Sequence, residues 1–214
     1  MTSAPHAAPS GAAASATTEH AREQVRERLR AALGDRVDTT PASLEAARAD
    51  KSGHAAAGLP IAVVHAASTA DVQAVLRIAS ETTTPVVTRG AGTGLAGGAG
   101  AGTGEISLST RSMTRVLEIR ADDLIAVVEP GIINSELNDL LRPHGLWWAP
   151  DPASRAISTV GGNIATGAGG LLCAKYGVVR DAVLGVELVL ADGRALSLGH
   201  RTVKGVTGLD LTAL

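Results

Sequence analysis

The residues best suited to do chemistry form a glycine-rich loop, residues 89–98 with the sequence RGAGTGLAGG, directly after a predicted strand. Glycine lets a backbone adopt positive φ and approach a ligand without a Cβ in the way. Successive amides in such a turn converge on an anion, while Arg89 adds a positive charge and Thr93 adds a hydroxyl donor. A pyrophosphate needs these groups, so we predict an anion-binding loop here.

Three other interpretations of this loop make different predictions. Gly92, Gly94 and Gly97 match the dinucleotide fingerprint G-x-G-x-x-G, but that fingerprint must open a helix, and the glycines of residues 97–104 oppose one. A nucleoside-triphosphate loop needs Gly-Lys before Ser or Thr, and the sequence holds no Gly-Lys pair. A flexible surface loop is the plainest alternative, because a glycine-rich stretch alone is a weak signal.

A second cluster of glycines lies at residues 161–170, after a rigid turn at Pro150-Asp151-Pro152. Its Gly-Gly pair permits close backbone contact, and Ser154, Thr159 and Asn163 offer neutral donors and acceptors. Two such loops predict one large, flat ligand with polar edges, gripped from two sides. The alternative is tight packing of a short helix on a sheet, which also uses small residues. The residues of this cluster leave both interpretations open.

The elements that must position these loops alternate between strands and helices. Residues 61–64 and 85–88 predict buried strands, and residues 68–71 predict the capped start of the helix between them. Beyond the first loop we predict strands at residues 106–108, 116–119, 124–128, 183–190 and 195–198, a helix capped by Asn134, and a turn at Asp192-Gly193. This order predicts an α+β fold.

The region before these elements divides into two parts. Residues 1–18 are rich in Ala, Ser and Thr and predict a disordered tail. Residues 19–57 predict a helical segment, with one helix from Glu19 to Leu33 that Gly34 ends and a second that starts at Thr40-Pro41. The main domain is predicted over residues 58–214.

Composition argues against several classes of function. The chain has 214 residues and a net charge of −2 with scattered Lys and Arg, which does not favour nucleic acid or an anionic membrane as partner. No apolar run approaches the roughly 18 residues of a membrane span. Cys173 is the single cysteine, so no internal disulfide forms; with no secretory signal, this predicts a cytoplasmic location.

The remaining residues that could take part in catalysis have structural interpretations. His65 and His144 are interpreted as structural, and no His, Cys, Asp or Glu cluster has the spacing of metal ligands, so no metal is predicted. Cys173 is interpreted as a small buried residue. We therefore name no catalytic residue in this chain.

Three further features have structural interpretations. We interpret Trp147 and Trp148 as core residues that pack beneath the turn at Pro150, and not as a cover for a ligand. We interpret Glu129 as a structural carboxylate at the end of a strand, and not as a general base. Arg180-Asp181 predict a local ion pair.

Several motifs follow one another in a fixed order: PVVTRGAGTGL at 85–95, EPG at 129–131, HGL at 144–146, PDP at 150–152, TVGGN at 159–163, KYG at 175–177, VLGVE at 183–187 and ADG at 191–193. In this order they resemble the FAD-linked oxidases of the vanillyl-alcohol-oxidase/p-cresol-methylhydroxylase (PCMH-type) fold, nearest the glycolate oxidase catalytic subunit and D-lactate dehydrogenase group. The resemblance covers about residues 55–214. It implies a PCMH-type FAD-binding domain of two small α/β subdomains, with FAD held non-covalently because the first loop carries no histidine.

The resemblance also implies a place for each part of FAD. Residues 89–95 would wrap the pyrophosphate, and Pro152, Ser154 and residues 159–163 would line the flavin and ribityl chain. Residues 169–170 and 176–177 would lie near the isoalloxazine, and residues 183–186 near the adenosine end. The cofactor-binding residues so predicted are Val87, Arg89, Gly90, Ala91, Gly92, Thr93, Gly94, Leu95, Pro152, Ser154, Thr159, Gly161, Gly162, Asn163, Gly169, Gly170, Tyr176, Gly177, Val183, Gly185 and Val186.

The implied function is the FAD-binding portion of a flavin-dependent 2-hydroxyacid dehydrogenase or oxidase, with hydride transfer from a glycolate-like or D-lactate-like substrate to flavin. In this family, the residues that match 204–211 precede one more strand and a substrate-binding domain. We expect this chain to lack both, and to meet its substrate through a missing C-terminal domain or a separate chain. An alternative is a truncated FAD-binding module without activity of its own. A third interpretation, a nicotinamide-binding protein, predicts a helix straight after Gly97.

Overall fold

A mostly parallel sheet organises the first half of the molecule. The computed structural model describes residues 11–202 and 208–213. Strands β1 (Val37–Asp38), β2 (Ala62–His65), β3 (Val86–Arg89) and β4 (Ile106–Ser109) pair in the order β1-β2-β4-β3. Strands β2, β4 and β3 run parallel, and β1 pairs antiparallel with β2 at one edge. The carboxyl ends of the three parallel strands therefore share one edge of the sheet, and the first glycine loop leaves from β3 at that edge.

Two helices cover this sheet, and a third lies before β2. Helices α1 (Gly11–Leu33) and α3 (Thr69–Glu81) pack with the sheet around one core, while α2 (Pro41–Ala47) packs on β2. The fully buried Leu29 and Val75 contribute to this core from α1 and α3. Ser68 caps α3 by accepting a hydrogen bond from the Asp71 amide, as predicted.

Short elements build the second half. Hairpins β5 (Val116–Arg120) with β6 (Ile125–Val128) and β7 (Gly185–Val189) with β8 (Ala195–Gly199) are both antiparallel. Helices α4 (Asn134–Leu141), α5 (Val160–Ala165) and α6 (Cys173–Tyr176) complete this half. A second core contains Ile132, Leu137, Leu141 and Val160. The predicted α+β architecture of two small subdomains is confirmed.

Two predicted boundaries differ from the structure. Helix α1 begins at Gly11 rather than Glu19, so the prediction of a disordered tail is wrong for residues 11–18, while residues 1–10 lie outside the described residues. The early start follows from the sequence GAAASATT, because Ala has the highest helix propensity. Strand β7 begins at Gly185 rather than Val183, because Val179–Ala182 form a 3₁₀ turn just before it.

Asn134 does not cap its helix. It is the first residue of α4, and the cap position belongs to Ile133, which has no side-chain cap bond. The Asn134 side chain instead points into the protein, where it is fully buried. The role of Asn134 is therefore to join elements of the fold and not to cap α4.

A buried carboxylate fixes the exit from β6. Glu129 is 7% exposed, and its oxygens accept hydrogen bonds from the Arg115 amide at 2.8 Å and from Arg115 Nη2 at 2.7 Å. These hydrogen bonds hold the pKa of Glu129 below its ordinary value. The interpretation of Glu129 as a structural carboxylate at a strand end is confirmed.

We expect Glu129→Ala to lower the free energy of unfolding by about 2 kcal/mol at neutral pH, because charge-assisted hydrogen bonds are lost. Since the folded-state pKa of Glu129 lies below the unfolded value, its contribution is complete above the unfolded pKa and is lost as pH falls through the folded one. Urea unfolding should therefore show a smaller difference from wild type in acid. The matched control is Asp139→Ala, whose carboxylate is exposed. A difference that does not change with pH would contradict this assignment.

Candidate functional site

The first glycine loop offers unpaired backbone donors. Residues 90–105 form no helix, which removes the nicotinamide-binding interpretation. Gly92 has φ +68°, a conformation that a side chain would strain. The half-buried amides of Ala91, Gly92 and Thr93 donate hydrogen bonds to none of the residues that the structure describes. Because unpaired buried amides are rare in proteins, this row of donors is suited to an anionic ligand.

Arg89 lies against the same loop but does not present its whole guanidinium to a ligand. Its Nη1 donates to Ala49 O and to Ala99 O, both at 2.8 Å. A Cβ placed on Gly92 would collide with this guanidinium. Burial lowers the pKa of Arg89, and the carboxylate of Asp50 opposes that effect. Arg89 therefore supplies the predicted positive charge and also braces the two ends of the loop.

The second glycine cluster begins at the short helix α5. Thr159 is 1% exposed and caps α5, with its Oγ1 accepting a hydrogen bond from the Gly162 amide at 3.2 Å. Gly161 donates its amide to Pro130 O at 2.8 Å, and a Cβ on Gly161 would lie 2.5 Å from Pro130 Cβ. Tight packing thus explains Gly161. Gly162 is less tightly packed against the described residues. A Cβ on Gly162 would meet one of their atoms, Thr159 Oγ1, at 2.9 Å.

The two glycine segments meet at Gly90. A Cβ placed on Gly90 would lie 2.5 Å from Thr159 Oγ1 and 3.7 Å from Gly162 Cα. The first loop and the start of α5 are therefore neighbours, although about seventy residues separate them in sequence. This contact brings the free amides of residues 91–93 and the cap of α5 into one site.

The Asn163 side chain is buried in a network of hydrogen bonds within the protein, and its place beside a cofactor stays a prediction. It is 2% exposed, donates to Ser158 Oγ at 3.0 Å, and accepts from Asn134 Nδ2 at 2.9 Å. Asn134 also donates to Pro150 O at 3.0 Å. This network ties α4, α5 and the proline turn together. Sequence reasoning missed Asn134, although a polar residue on the buried face of a helix was a usable signal.

Other predicted glycines owe their lack of a Cβ to the protein itself. A Cβ on Gly170 would collide with the Asp151 backbone, and a Cβ on Gly177 would collide with Asp181. A Cβ on Gly185 would lie 2.9 Å from Leu198 O, across the β7–β8 hairpin. These contacts explain why the positions are glycine, and their place beside a cofactor stays a prediction.

Exposed apolar residues surround the end of α6. Tyr176 is 44% exposed and makes an edge-on ring contact with Trp147, with the ring centroids 4.8 Å apart. Leu171 is 92% exposed. Trp148 packs on the second core as predicted, but Trp147 does not. The predicted core role is therefore wrong for Trp147, because its ring lies on the surface beside Tyr176.

The remaining predicted residues lie around these segments. Pro152 and Val183 are buried, while Val87, Ser154 and Val186 are half-buried. Gly94 O accepts a hydrogen bond from the Lys51 amide, and Leu95 is 80% exposed. The Gly169 and Gly170 backbone lies beside half-buried Cys173, whose Sγ accepts from the Gly170 amide at 3.3 Å.

The charged residues give two further results. Arg180 pairs with Asp210 rather than with Asp181, so the predicted local ion pair is wrong; Asp181 instead accepts from the Val178 amide. Within residues 11–202 and 208–213 no group of three or more His, Cys, Asp or Glu could hold a metal ion. None of the helices in this part of the chain is long and apolar enough to cross a membrane.

Known proteins are similar to this chain in sequence. Residues 60–199 match the family described as "FAD binding domain". The chain is 42% identical over 156 residues to glycolate oxidase subunit GlcD of Bacillus subtilis, covering 73% of this chain and 33% of that protein. It is 43% identical over 152 residues to D-lactate dehydrogenase of Archaeoglobus fulgidus, covering 71% and 34%. This chain thus spans about a third of the length of these relatives.

A solved structure shows the same fold. The crystal structure of p-cresol methylhydroxylase with substrate bound matches with a TM-score of 0.72 at 24% identity, covering 85% of this chain and 36% of that one. The residues present fit FAD, because free amides at Ala91, Gly92 and Thr93 lie beside the Cβ-free contact between Gly90 and Gly162. The chain therefore belongs to the family of FAD-binding domains, with the PCMH-type fold and with FAD as its cofactor.

Proposed function

We propose that this chain is the FAD-binding portion of a flavin-dependent 2-hydroxyacid dehydrogenase or oxidase, with a glycolate-like or D-lactate-like substrate. The observation that carries the proposal is the contact between the two glycine segments at Gly90, beside three amides that have no partner among the described residues. The substrate class is supported by the names of two relatives, a glycolate oxidase subunit and a D-lactate dehydrogenase. Both names refer to oxidation of a 2-hydroxyacid.

In this proposal each segment binds a different part of the cofactor. The amides of Ala91, Gly92 and Thr93 donate to the pyrophosphate, and the positive charge of Arg89 lies beneath Gly92. Thr159 holds the start of α5 against the first loop. The exposed surface beside Tyr176 receives the isoalloxazine, and residues 183–186 lie toward the adenosine. FAD stays non-covalent, because residues 89–104 contain no histidine.

When bound, FAD supplies a ring that accepts a hydride equivalent from the carbinol carbon of the substrate. This chain holds and orients that ring, and we assign the general base and the groups that bind the substrate carboxylate to a further domain or a separate chain. A quinone, a carrier protein or oxygen would then receive the electrons. We also propose a cytoplasmic location, which the single cysteine supports.

Titration of the purified chain with FAD tests the proposed site. We expect Gly92→Ala to weaken FAD binding by about tenfold or more, because the new Cβ displaces the Arg89 guanidinium and strains a residue at positive φ. The matched control is Gly34→Ala, since Gly34 also has positive φ but no atom within 4 Å of a Cβ there. The control should lose similar stability and keep its FAD affinity. Absence of FAD binding by wild type would contradict the proposed function.

Turnover separates the enzyme portion from the alternative, a binding module without activity of its own. We expect no more than a trace rate with lactate or glycolate and an artificial acceptor when this chain is assayed alone. Addition of the partner domain or chain should then restore activity to an enzyme portion but not to a binding module. A robust rate from the chain alone would show that the substrate groups lie within these 214 residues.

A further inference from the structure

A segment outside both glycine clusters holds the outer edge of the first loop. We call residues 47–58 the clasp. The clasp folds back on itself, because Ala49 bridges Ala55 and the Ala56 amide donates to Arg48 O at 2.9 Å. Arg48 Nε donates back to Ala56 O at 3.0 Å. The clasp is thus a closed turn with its own hydrogen bonds. Its other backbone groups are directed at the segment beside it.

That segment is the glycine loop and its continuation. The Lys51 amide donates to Gly94 O at 3.0 Å. Further along, the Ala101 amide donates to Ala47 O and the Thr103 amide donates to Ala57 O, both at 2.9 Å. The two backbones also approach closely, since a Cβ on Gly100 would lie 2.5 Å from Arg48 O and one on Gly102 would lie 2.7 Å from Ala57 O. The clasp and the loop therefore pack as one unit.

Asp50 is the charged residue of the clasp that faces the loop. Its Oδ1 accepts a hydrogen bond from the Ser52 amide at 2.9 Å. Its Oδ2 is buried without a hydrogen-bond partner among the described residues, and it lies 3.5 Å from the position of a Cβ on Gly94. The Ser52 hydroxyl most strongly, and the Ser52 amide more weakly, hold the pKa of Asp50 below its ordinary value. Asp50 is therefore a carboxylate directed at the loop backbone.

Arg89 binds the same unit from the side of β3. Through Nη1 it joins Ala49 of the clasp to Ala99 of the loop. The negative charge of Asp50 raises the pKa of Arg89 and so opposes the effect of burial on that guanidinium. The loop is fixed at its outer edge, while the amides of Ala91, Gly92 and Thr93 have no partner among the described residues.

The loop is bonded at its outer edge but not at residues 91–93, and this difference needs a physical cause. A half-buried amide without a partner costs about 1 kcal/mol or more, so a free loop of glycines would collapse onto alternative bonds. Contacts with the clasp oppose that collapse, because they occupy the outer carbonyl of Gly94 and the Arg89 guanidinium.

We propose that the clasp is part of the cofactor site, with Asp50 as a positioning residue that keeps the amides of residues 91–93 free for the pyrophosphate. The proposal rests on the proposed function, because it assigns the pyrophosphate to those amides.

Ligands that carry different parts of FAD test this role. Asp50→Ala should weaken binding of both FAD and ADP by about tenfold while it changes riboflavin binding by less than about twofold, because only the first two carry a pyrophosphate. Asp50→Asn should have a smaller effect, because its amide oxygen can still accept from the Ser52 amide. The charge-matched control is Asp139→Asn, which neutralises an exposed carboxylate on α4 and should leave all three affinities unchanged.

The outcomes separate the two proposals. If wild type binds no FAD, the proposed function fails. If wild type binds FAD and both Asp50 variants bind FAD and ADP equally well, the proposed function stands and the role of Asp50 is overturned. Equal weakening of riboflavin would also overturn it, because the effect would then be a general loss of structure. If Asp50→Ala does not fold, the affinities of Asp50→Asn for FAD, ADP and riboflavin still decide between these outcomes.

Discussion

Replacement of Gly90 with valine should abolish retention of FAD by the purified chain. A Cβ at this position would lie 2.5 Å from Thr159 Oγ1, which already caps α5 through the Gly162 amide. The added side chain must push the first loop away from α5, and overpacking of this kind costs roughly 3 kcal/mol, about a hundredfold in affinity. Absorbance of the released flavin after denaturation measures the loss.

The matched control is Gly98→Val in the same loop. No atom of residues 11–202 or 208–213 lies within 4 Å of a Cβ there. Neither Gly90 nor Gly98 has positive φ, so backbone strain does not separate the two variants. We expect the Gly98 variant to retain FAD within about threefold of wild type. Equal retention by both valine variants would show that the two glycine segments need not touch for FAD to bind.

Asn134→Ala should lower the free energy of unfolding by about 3 kcal/mol, the largest effect on stability that we expect from a single polar residue. The substitution removes the donor that Asn163 Oδ1 and Pro150 O share, and it leaves a cavity in a fully buried position. Urea unfolding of the protein without FAD measures the change. Saturating FAD should raise the free energy of unfolding of wild type and variant alike, because it binds only the folded state.

Glu136→Ala is the control for this prediction, since Glu136 lies on the exposed face of the same helix. It should change stability by less than about 0.5 kcal/mol. A loss below about 1 kcal/mol for Asn134→Ala would mean that the buried amide network does not hold α4, α5 and the proline turn together.

Local signals explain what could be predicted from the sequence. The strand at residues 86–89 and the loop after it follow from a short apolar run and closely spaced glycines, and a positive φ at Gly92 is what such a run favours. Ser68 at the start of α3 is a capping signal that acts within three residues. For each of these features, the residues that determine the structure are close together in the chain.

Contacts between distant residues explain what could not. The pair of Asn134 and Asn163 joins positions 29 residues apart, and each asparagine alone is equally compatible with a cap or a ligand contact. Arg180 bonds to Asp210 although Asp181 is its neighbour, because the 3₁₀ turn uses Asp181 to accept the Val178 amide. The clasp binds largely through backbone groups, which leave no mark on residue type.

The most direct test of the shared site is an amide nuclear magnetic resonance titration of the ¹⁵N-labelled chain with FAD. The amide signals of Ala91, Gly92 and Thr93 in the first segment and of Gly162 in the second should shift together and reach saturation at one common FAD concentration, because one dinucleotide contacts both. Saturable FAD binding that leaves the signals of residues 91–93 unmoved would contradict the assignment of the pyrophosphate to this loop.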